Sequence, residues 1–419
     1  MFKFFATDRW YKKASQAEEG CADLTAGSPK IAADSLTGPC PSEEGDSGST
    51  FKVPYTAILN ITEHNNAHSL EVCWVYGFQV IAQKGKFKVG DKVIYVPIDS
   101  ILPQWLEDRL FPADAKIKLN KHRVRQIRIR KLASQGMLIS LEEVADYIKT
   151  PVLEKDYSHW LGITKYEPPA PQIQGPGGGR NRNKKHEHPL FHKYNGIDNI
   201  KWFPDLFKEG ETEVVIQEKL HGTNARASLL PFMATTWKKK LLKLFRLAPA
   251  IERCYGSNNV QKSVSTNAKH WYENDVWGDT FKAIDVFSKL KLGEIVYGEI
   301  VGPGIQNNYD YGLKEHRFVA FDVKVLQPDG KFKWLNPEEV ATYCAERGFE
   351  HVPVIYTGKY YRNLTESFTK GPSVYSPTQK VREGVCIKQR TEYDFGGNKR
   401  ALKWVSEDYL DDKTNTDFH

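Results

Sequence analysis

No two of the six cysteines are spaced as CxxC. Cys21, Cys40, Cys73, Cys254, Cys344 and Cys386 are scattered through 419 residues, so neither a thiolate metal ribbon nor a disulfide framework organises the chain. Cys254 and Cys386 fall inside apolar, strand-like runs, the usual setting of buried free thiols, and a reducing compartment is expected. No apolar run is long enough to cross a bilayer, and the amino terminus lacks a signal-peptide core. The expectation is a soluble intracellular protein, cytoplasmic or nuclear, with no membrane partner. Charge of one sign does not dominate either. A net charge of +7 suits a polyanionic partner without demanding one. Internal repeats are missing.

What is there divides into segments. Residues 1–50 are rich in Ser, Gly, Glu, Asp and Ala with little apolar periodicity, and read as a poorly ordered leader. From Phe51 short β-rich runs follow: Tyr55–Ile61, Leu70–Val75, Phe78–Ala82, Lys92–Pro97, Val124–Arg130 and Gly136–Ser140, punctuated by Gly77, Gly85 and Gly90-Asp91. About five strands with a helical insert near Leu102–Leu110 predict a small OB-type barrel over 51–165. Residues 166–193 contain Glu167-Pro-Pro-Ala-Pro171, Gly175-Pro-Gly-Gly-Gly179 and Arg180-Asn-Arg-Asn-Lys-Lys185, the composition of a flexible basic linker. Residues 194–419 alternate strands with a few helices, which fits an α+β domain with antiparallel sheets.

The most informative stretch is Lys219-Leu-His-Gly-Thr-Asn224, directly after the strand-like Glu213-Val-Val-Ile-Gln-Glu218. A lysine leaving a strand into a tight glycine turn is placed to attack a nucleotide phosphate. A free lysine has a pKa of roughly 10.4, so a second cation or desolvation must lower it before the amine can act. Lys403, in Ala401-Leu-Lys-Trp-Val405, is the expected partner. On the tetrapeptide alone, a surface lysine beside a turn is an equally good reading.

Four further segments follow in order, and with them the chain resembles the ATP-dependent RNA ligases. The resemblance is to the RNA ligase 2 branch, nearest the Deinococcus and Naegleria type that places an OB domain before the nucleotidyltransferase domain. It spans about Phe51 to Leu410. Motif I is the Lys219 hexapeptide, with His221 where many ligases have Asp. Motif Ia is Tyr255-Gly-Ser-Asn-Asn-Val260, with Asn258 where the family commonly has Arg. Motif III is Tyr297-Gly-Glu-Ile-Val-Gly-Pro-Gly-Ile-Gln306, followed by Phe318-Val-Ala-Phe-Asp322. Motif IV is Glu383-Gly-Val-Cys-Ile-Lys388. Motif V centres on Lys403 but has Val405 where the family often has a second lysine.

The resemblance implies Lys219 and Lys403 as catalytic residues. It implies a nucleotide site from Glu218, His221, Gly222, Asn224, Ser257, Glu299, Phe321, Glu383, Lys388 and Lys403, with Phe321 stacking on adenine. ATP is the implied cofactor, with Mg2+ or Mn2+ held through water by Glu299 and Glu383, since magnesium keeps several of its waters. Lys388 or Arg400 is the expected replacement for the missing motif V lysine. On pattern alone each glutamate also reads as a solvated strand end, and Phe321 equally as core.

Two basic regions point to nucleic acid. The stretch 118–131 carries Arg123, Arg125, Arg128, Arg130 and Lys131 around Ile127 and Ile129. Strand alternation sets Arg128 and Arg130 opposite the isoleucines, a basic barrel face suited to RNA backbone. Trp237–Leu247 reads as an amphipathic basic helix that could clamp RNA, lie on a membrane or cover a sheet edge. The expectation is a monomeric RNA ligase that joins 3′-hydroxyl and 5′-phosphate ends, as free ends or in a nicked duplex, in RNA repair. The rivals are a DNA ligase, a GTP-using capping enzyme, and a non-catalytic RNA-binding protein on the same fold.

Overall fold

The computed structural model describes residues 51–112, 115, 118–166, 187–194, 196–247, 249–262, 275–306, 309–391 and 401–411. The expected leader, most of the expected linker, and Arg400 lie outside them.

The first half is a set of short antiparallel ribbons. Strands β1 (Tyr55–Ala57), β5 (Lys92–Val96) and β9 (Met137–Ser140) pair in the order β1-β5-β9, and β2 (Asn60–Glu63), β3 (Leu70–Val75) and β4 (Phe78–Gln83) form a meander. Between β5 and β9 lie β6 (Ser100–Ile101), β7 (Ile127–Ile129) and β8 (Leu132–Ser134), and β10 (Thr164–Lys165) returns to pair with β6. Bonds from Gln135 N–H to the Gln79 carbonyl (2.8 Å) and from Ile81 N–H to Ser134 Oγ (3.0 Å) close the ribbons on one another. Alternate residues of β3, β4 and β5, among them Cys73, Val75, Phe78, Val80 and Tyr95, meet in one apolar cluster, as the period of two requires. The expected helix is present as Gln104–Leu110. The expected strand Val124–Arg130 is shorter, because its first residues leave the ladder to bond Asp99 and Ser100.

The second half holds two packed sheets. The first has the order β11-β22-β21-β12-β20, from β11 (Asp198–Asn199), β12 (Glu213–Lys219), β20 (Val354–Lys359), β21 (Gly384–Gln389) and β22 (Ala401–Val405). The second has the order β15-β14-β13-β16-β17-β18, with β13 (Thr223–Pro231), β14 (Ile251–Gly256), β15 (Gln261–Lys262), β16 (Glu294–Val301), β17 (Arg317–Leu326), β18 (Phe332–Trp334), and β19 (Glu350–His351) beside β17. All pairings here are antiparallel except β11 with β22 and β17 with β19. Residues 187–194 pack on this second sheet, with Phe191 buried among Leu230, Tyr297 and Trp334.

The two halves are locked together by Trp202. Its ring lies 5.0 Å from Tyr76, 5.0 Å from Phe78 and 5.5 Å from Tyr95. The β3–β4 hairpin turns through Tyr76 and Gly77, whose N–H bonds the Lys201 carbonyl at 2.7 Å. A Cβ on Gly77 would sit 3.0 Å from that same carbonyl oxygen, so glycine is what lets the hairpin dock. The helix Glu407–Leu410 completes the contact: Arg128 bonds Asp411 at 2.5 Å, and Lys201 reaches Glu407 at 3.7 Å.

Candidate active site

A cavity of about 280 Å³ opens between the two sheets of the second half. Lys219, the last residue of β12, lines it. The chain must turn at once into β13, and Gly222 makes this possible. A Cβ there would lie 2.5 Å from the Ile300 carbonyl oxygen, closer than backbone tolerates. Gln306, from the loop after β16, donates to the Gly222 carbonyl at 2.8 Å and fixes the turn.

Lys219 Nζ donates to a carboxylate oxygen of Glu383, just before β21. The other oxygen of Glu383 is 3.6 Å from His221 Nδ1 and has no hydrogen-bond partner. Tyr309 and Tyr409 flank the His221 ring edge-on, at 4.8 Å and 5.3 Å. The imidazole is thus held behind the lysine and is not part of the cavity wall. Glu299 on β16 pairs in register with Asn224 on β13, and both line the cavity. Lys403, on β22, lines it from the other sheet.

The charges are strongly coupled. Burial pushes the Glu299 carboxyl up to about 8, against the pull of Lys219. Burial also opposes ionisation of Glu383, but the Lys219 ammonium and His221 outweigh it and hold Glu383 at about 2. Burial and the neighbouring Lys219 and Lys165 ammonium groups bring Lys403 down to about 8. Lys219 runs against expectation. Burial lowers it, yet Glu383 more than compensates, and its pKa lies above the ordinary lysine value. The like-charge effect falls on Lys403 because Lys403 lacks so close a carboxylate.

The far end of the cavity is aromatic. Phe321 on β17 is half-buried and meets Tyr194 edge-on at 4.9 Å. Lys388 Nζ bonds the Phe321 carbonyl at 2.6 Å and Asp322 at 3.0 Å, so it holds up the wall. Glu218 is buried, and one of its oxygens accepts from the N–H groups of Val374 and Tyr375, both at 2.8 Å. Its other oxygen and Gln217 Oε1 have no partner. Burial drives His351 down to about 4, so its ring is neutral and accepts from Gln217 Nε2 at 3.3 Å. That fixes the amide with its oxygen unspent.

Some expected positions are placed differently. The Ser257 hydroxyl accepts from Val260 N–H at 3.2 Å within its own turn. Its neighbour Asn258 takes the cavity wall instead and accepts from Tyr194 N–H at 2.8 Å. Tyr194, Gln217, Asn258 and Lys165 line the cavity without having been expected. Asn258 lay inside a recognised segment. The other three lie outside the quoted motifs or carry no distinguishing pattern.

The basic stretch also needs correction. Arg123 is buried and makes a two-nitrogen contact with Asp99 at 3.0 and 2.6 Å, under the ring of Tyr166. It is a structural ion pair. Arg128 is engaged by Asp411 and Asp408 across the domain contact. Ile127 is 45 % exposed, and with Ile129 it lines a groove of about 600 Å³ together with Lys86, Lys118 and Arg125. The isoleucines face this groove because β7 and β8 form a separate two-stranded ribbon. Arg130 and Lys131 are exposed at its tip, with φ of 50° and 76°. The helix Trp237–Leu244 covers no sheet edge with its apolar side: Trp237 and Leu244 are 70 % and 74 % exposed.

Comparison with known proteins fits this geometry. Residues 212–405 match the family model described as RNA ligase, and residues 54–141 match an OB-fold domain. An RNA ligase mutant of Naegleria gruberi solved with ATP and manganese superposes with a TM-score of 0.65 at 21 % identity, over 86 % of this chain and 98 % of that one. The same organism's RNA ligase with pyrophosphate gives the same values. A mutant with AMP and manganese gives 0.62 at 22 % identity, over 85 % and 97 %. By these matches the chain carries an RNA ligase domain over residues 212–405, preceded by an OB-fold domain over residues 54–141.

Proposed function

We propose that this RNA ligase joins a 3′-hydroxyl to a 5′-phosphate through AMP carried on Lys219. The observation that carries the reading is the convergence of Lys219, Glu299 and Lys403 on one cavity whose far wall is Phe321. In the first step the Lys219 amine forms a phosphorus–nitrogen bond at the α-phosphate of ATP. The bond from that phosphorus to the bridging oxygen breaks, and pyrophosphate leaves with the electron pair. The nitrogen gives up one proton before the attack and one after it. AMP then passes to the 5′-phosphate of an RNA end, and a 3′-hydroxyl displaces it. Alignment and charge neutralisation supply most of the acceleration.

The buried, unpartnered Asn224 Oδ1 and the carboxylate of Glu383, whose second oxygen lies 3.6 Å from His221 Nδ1, suit a hydrated cation. Among the described residues no three His, Cys, Asp or Glu gather as a protein cage, which fits an ion held through its own waters. Glu299 and Glu383 are the residues that would hold magnesium or manganese, and the ion would neutralise charge on the triphosphate. The free acceptors Glu218 Oε1 and Gln217 Oε1 favour a base carrying an exocyclic amine. Guanine carries an exocyclic amine too, so these acceptors do not choose the base; the support for ATP over GTP, and for ligation over capping, is the similarity to RNA ligases solved with ATP. The groove with Arg125 and the tip with Arg130 and Lys131 are the surfaces that suit RNA backbone. No described helix is long and apolar enough to cross a membrane.

The test is incubation with labelled ATP and magnesium followed by peptide mapping. The label is expected on Lys219 and is expected to vanish in Lys219→Ala. A labelled adduct that survives that substitution removes the proposal. A panel of nicked duplexes with RNA or DNA at each strand position then defines the substrate.

A further inference from the structure

We propose that Lys165, on the last strand of the OB-fold domain, is a phosphate-binding residue of the adenylylation site and does the work of the basic residue that position 405 lacks. The inference rests on the reading of Lys219 given above.

Val405 lies two residues beyond Lys403 on β22 and so faces the same side. It is 4 % exposed and packs against Leu220, Val301 and Tyr409. A crevice of about 80 Å³ runs beside it, and Lys403, Val405 and Lys165 all line that crevice. Lys165 and Lys403 also line the larger cavity with Lys219. A lysine from the other domain therefore shares a crevice with Val405 and Lys403. Lys388 does not meet this need, since Asp322 and the Phe321 carbonyl engage it at the opposite wall.

The backbone of Lys165 is set by its neighbours. The ladder with Ser100–Ile101 sets its strand, and the next residue, Tyr166, bonds the Asp99 carbonyl at 2.7 Å and lies 3.7 Å beneath the Arg123 guanidinium. The domain contact around Trp202 fixes that strand against β22. Lys165 is close enough for its charge to depress Lys403. Four lysines, Lys165, Lys219, Lys388 and Lys403, line one cavity; like charges so gathered repel one another, and a polyphosphate is the ligand that turns this repulsion into attraction. The OB-fold domain thus contributes to the first chemical step as well as offering a surface for RNA.

The experiment is single-turnover adduct formation at Lys219 across a range of ATP concentrations, with Tm measured on each variant. Lys165→Ala is expected to raise the ATP concentration for half-maximal rate by at least about tenfold, the scale of one charge-assisted phosphate contact, with Tm preserved. Lys165→Arg, which keeps the charge, is expected to recover most of the loss. An unchanged ATP dependence in Lys165→Ala overturns the proposal, as does a loss that tracks a fall in Tm and is not recovered by arginine. The parent reading fails separately, if the wild-type adduct maps to a residue other than Lys219.

Discussion

Lys219 and Glu383 form an ion pair that sets the charge of both groups. Burial alone would neutralise the lysine, but the carboxylate holds it protonated. A protonated amine has no lone pair with which to attack. A cation held beside Glu383 would offset the charge of that carboxylate and weaken its hold on the ammonium. Glu383→Gln should therefore make Lys219 a better bare nucleophile and the protein a worse ligase. The reactivity of Lys219 toward an amine-acylating reagent, followed by mass spectrometry, is expected to rise at a pH lower by at least about one unit. Adenylylation should fall in the same variant. An unaltered acylation profile would show that the ion pair does not govern the lysine.

Glu299 titrates in the opposite sense. Its folded pKa of about 8 lies above the ordinary carboxylate value of 4.5, so the folded chain binds more protons than the unfolded chain between those limits. The stabilisation is complete below the unfolded pKa and is lost as pH rises through about 8. Glu299→Gln removes a charge that burial disfavours. Its Tm is expected to match the wild type near pH 5 and exceed it by a few degrees near pH 9. Equal Tm values at both pH values would mean that Glu299 ionises normally.

The basic stretch of the OB-fold domain separates into structural and accessible cations. Arg123→Ala removes the buried two-nitrogen partner of Asp99 and is expected to lower Tm. The hairpin tip allows a cleaner test. Arg130 and Lys131 both sit at positive φ, a conformation asparagine tolerates. Arg130→Asn with Lys131→Asn should keep Tm, weaken RNA binding, and reduce the slope of log affinity against log salt by about 1.5–2, the sum for two phosphate contacts. An unchanged slope would place the RNA elsewhere, with the groove around Arg125 as the next surface to test.

Particular residues show where sequence reading reaches and where it stops. Lys219, Glu299 and Lys403 were legible because each sits on or beside a strand in a short pattern that chemistry constrains. The strand Leu70–Val75 was legible from its alternation. Arg123 was misread because its partner Asp99 is 24 residues away, and no local pattern separates a buried arginine from a solvated one. The exposure of Ile127 was not legible, because alternation names two faces without saying which is covered. Lys165 was missed because it enters the cavity by domain packing, and Tyr194 because it lies at the end of the expected linker and packs back on the second sheet; neither carries a pattern of its own. The direction of the Lys219 shift was missed because it depends on Glu383, 164 residues away.

Gly222 offers the sharpest test of how the site is built. The position does not need an unusual φ; it needs room. A methyl group there would meet the Ile300 carbonyl oxygen at 2.5 Å and Val301 Cγ1 at 2.9 Å. Both neighbours belong to β16, whose register with β13 places Glu299 opposite Asn224. Relief of the clash must move the turn that carries Lys219 or shift that ladder, and either separates the lysine from its carboxylates. Gly222→Ala is expected to lower Tm and to slow adduct formation at Lys219 by at least about a hundredfold, the scale of an ångström-sized misplacement of a reacting group. An alanine variant that forms the adduct at the wild-type rate would show that the turn yields without moving the nucleophile.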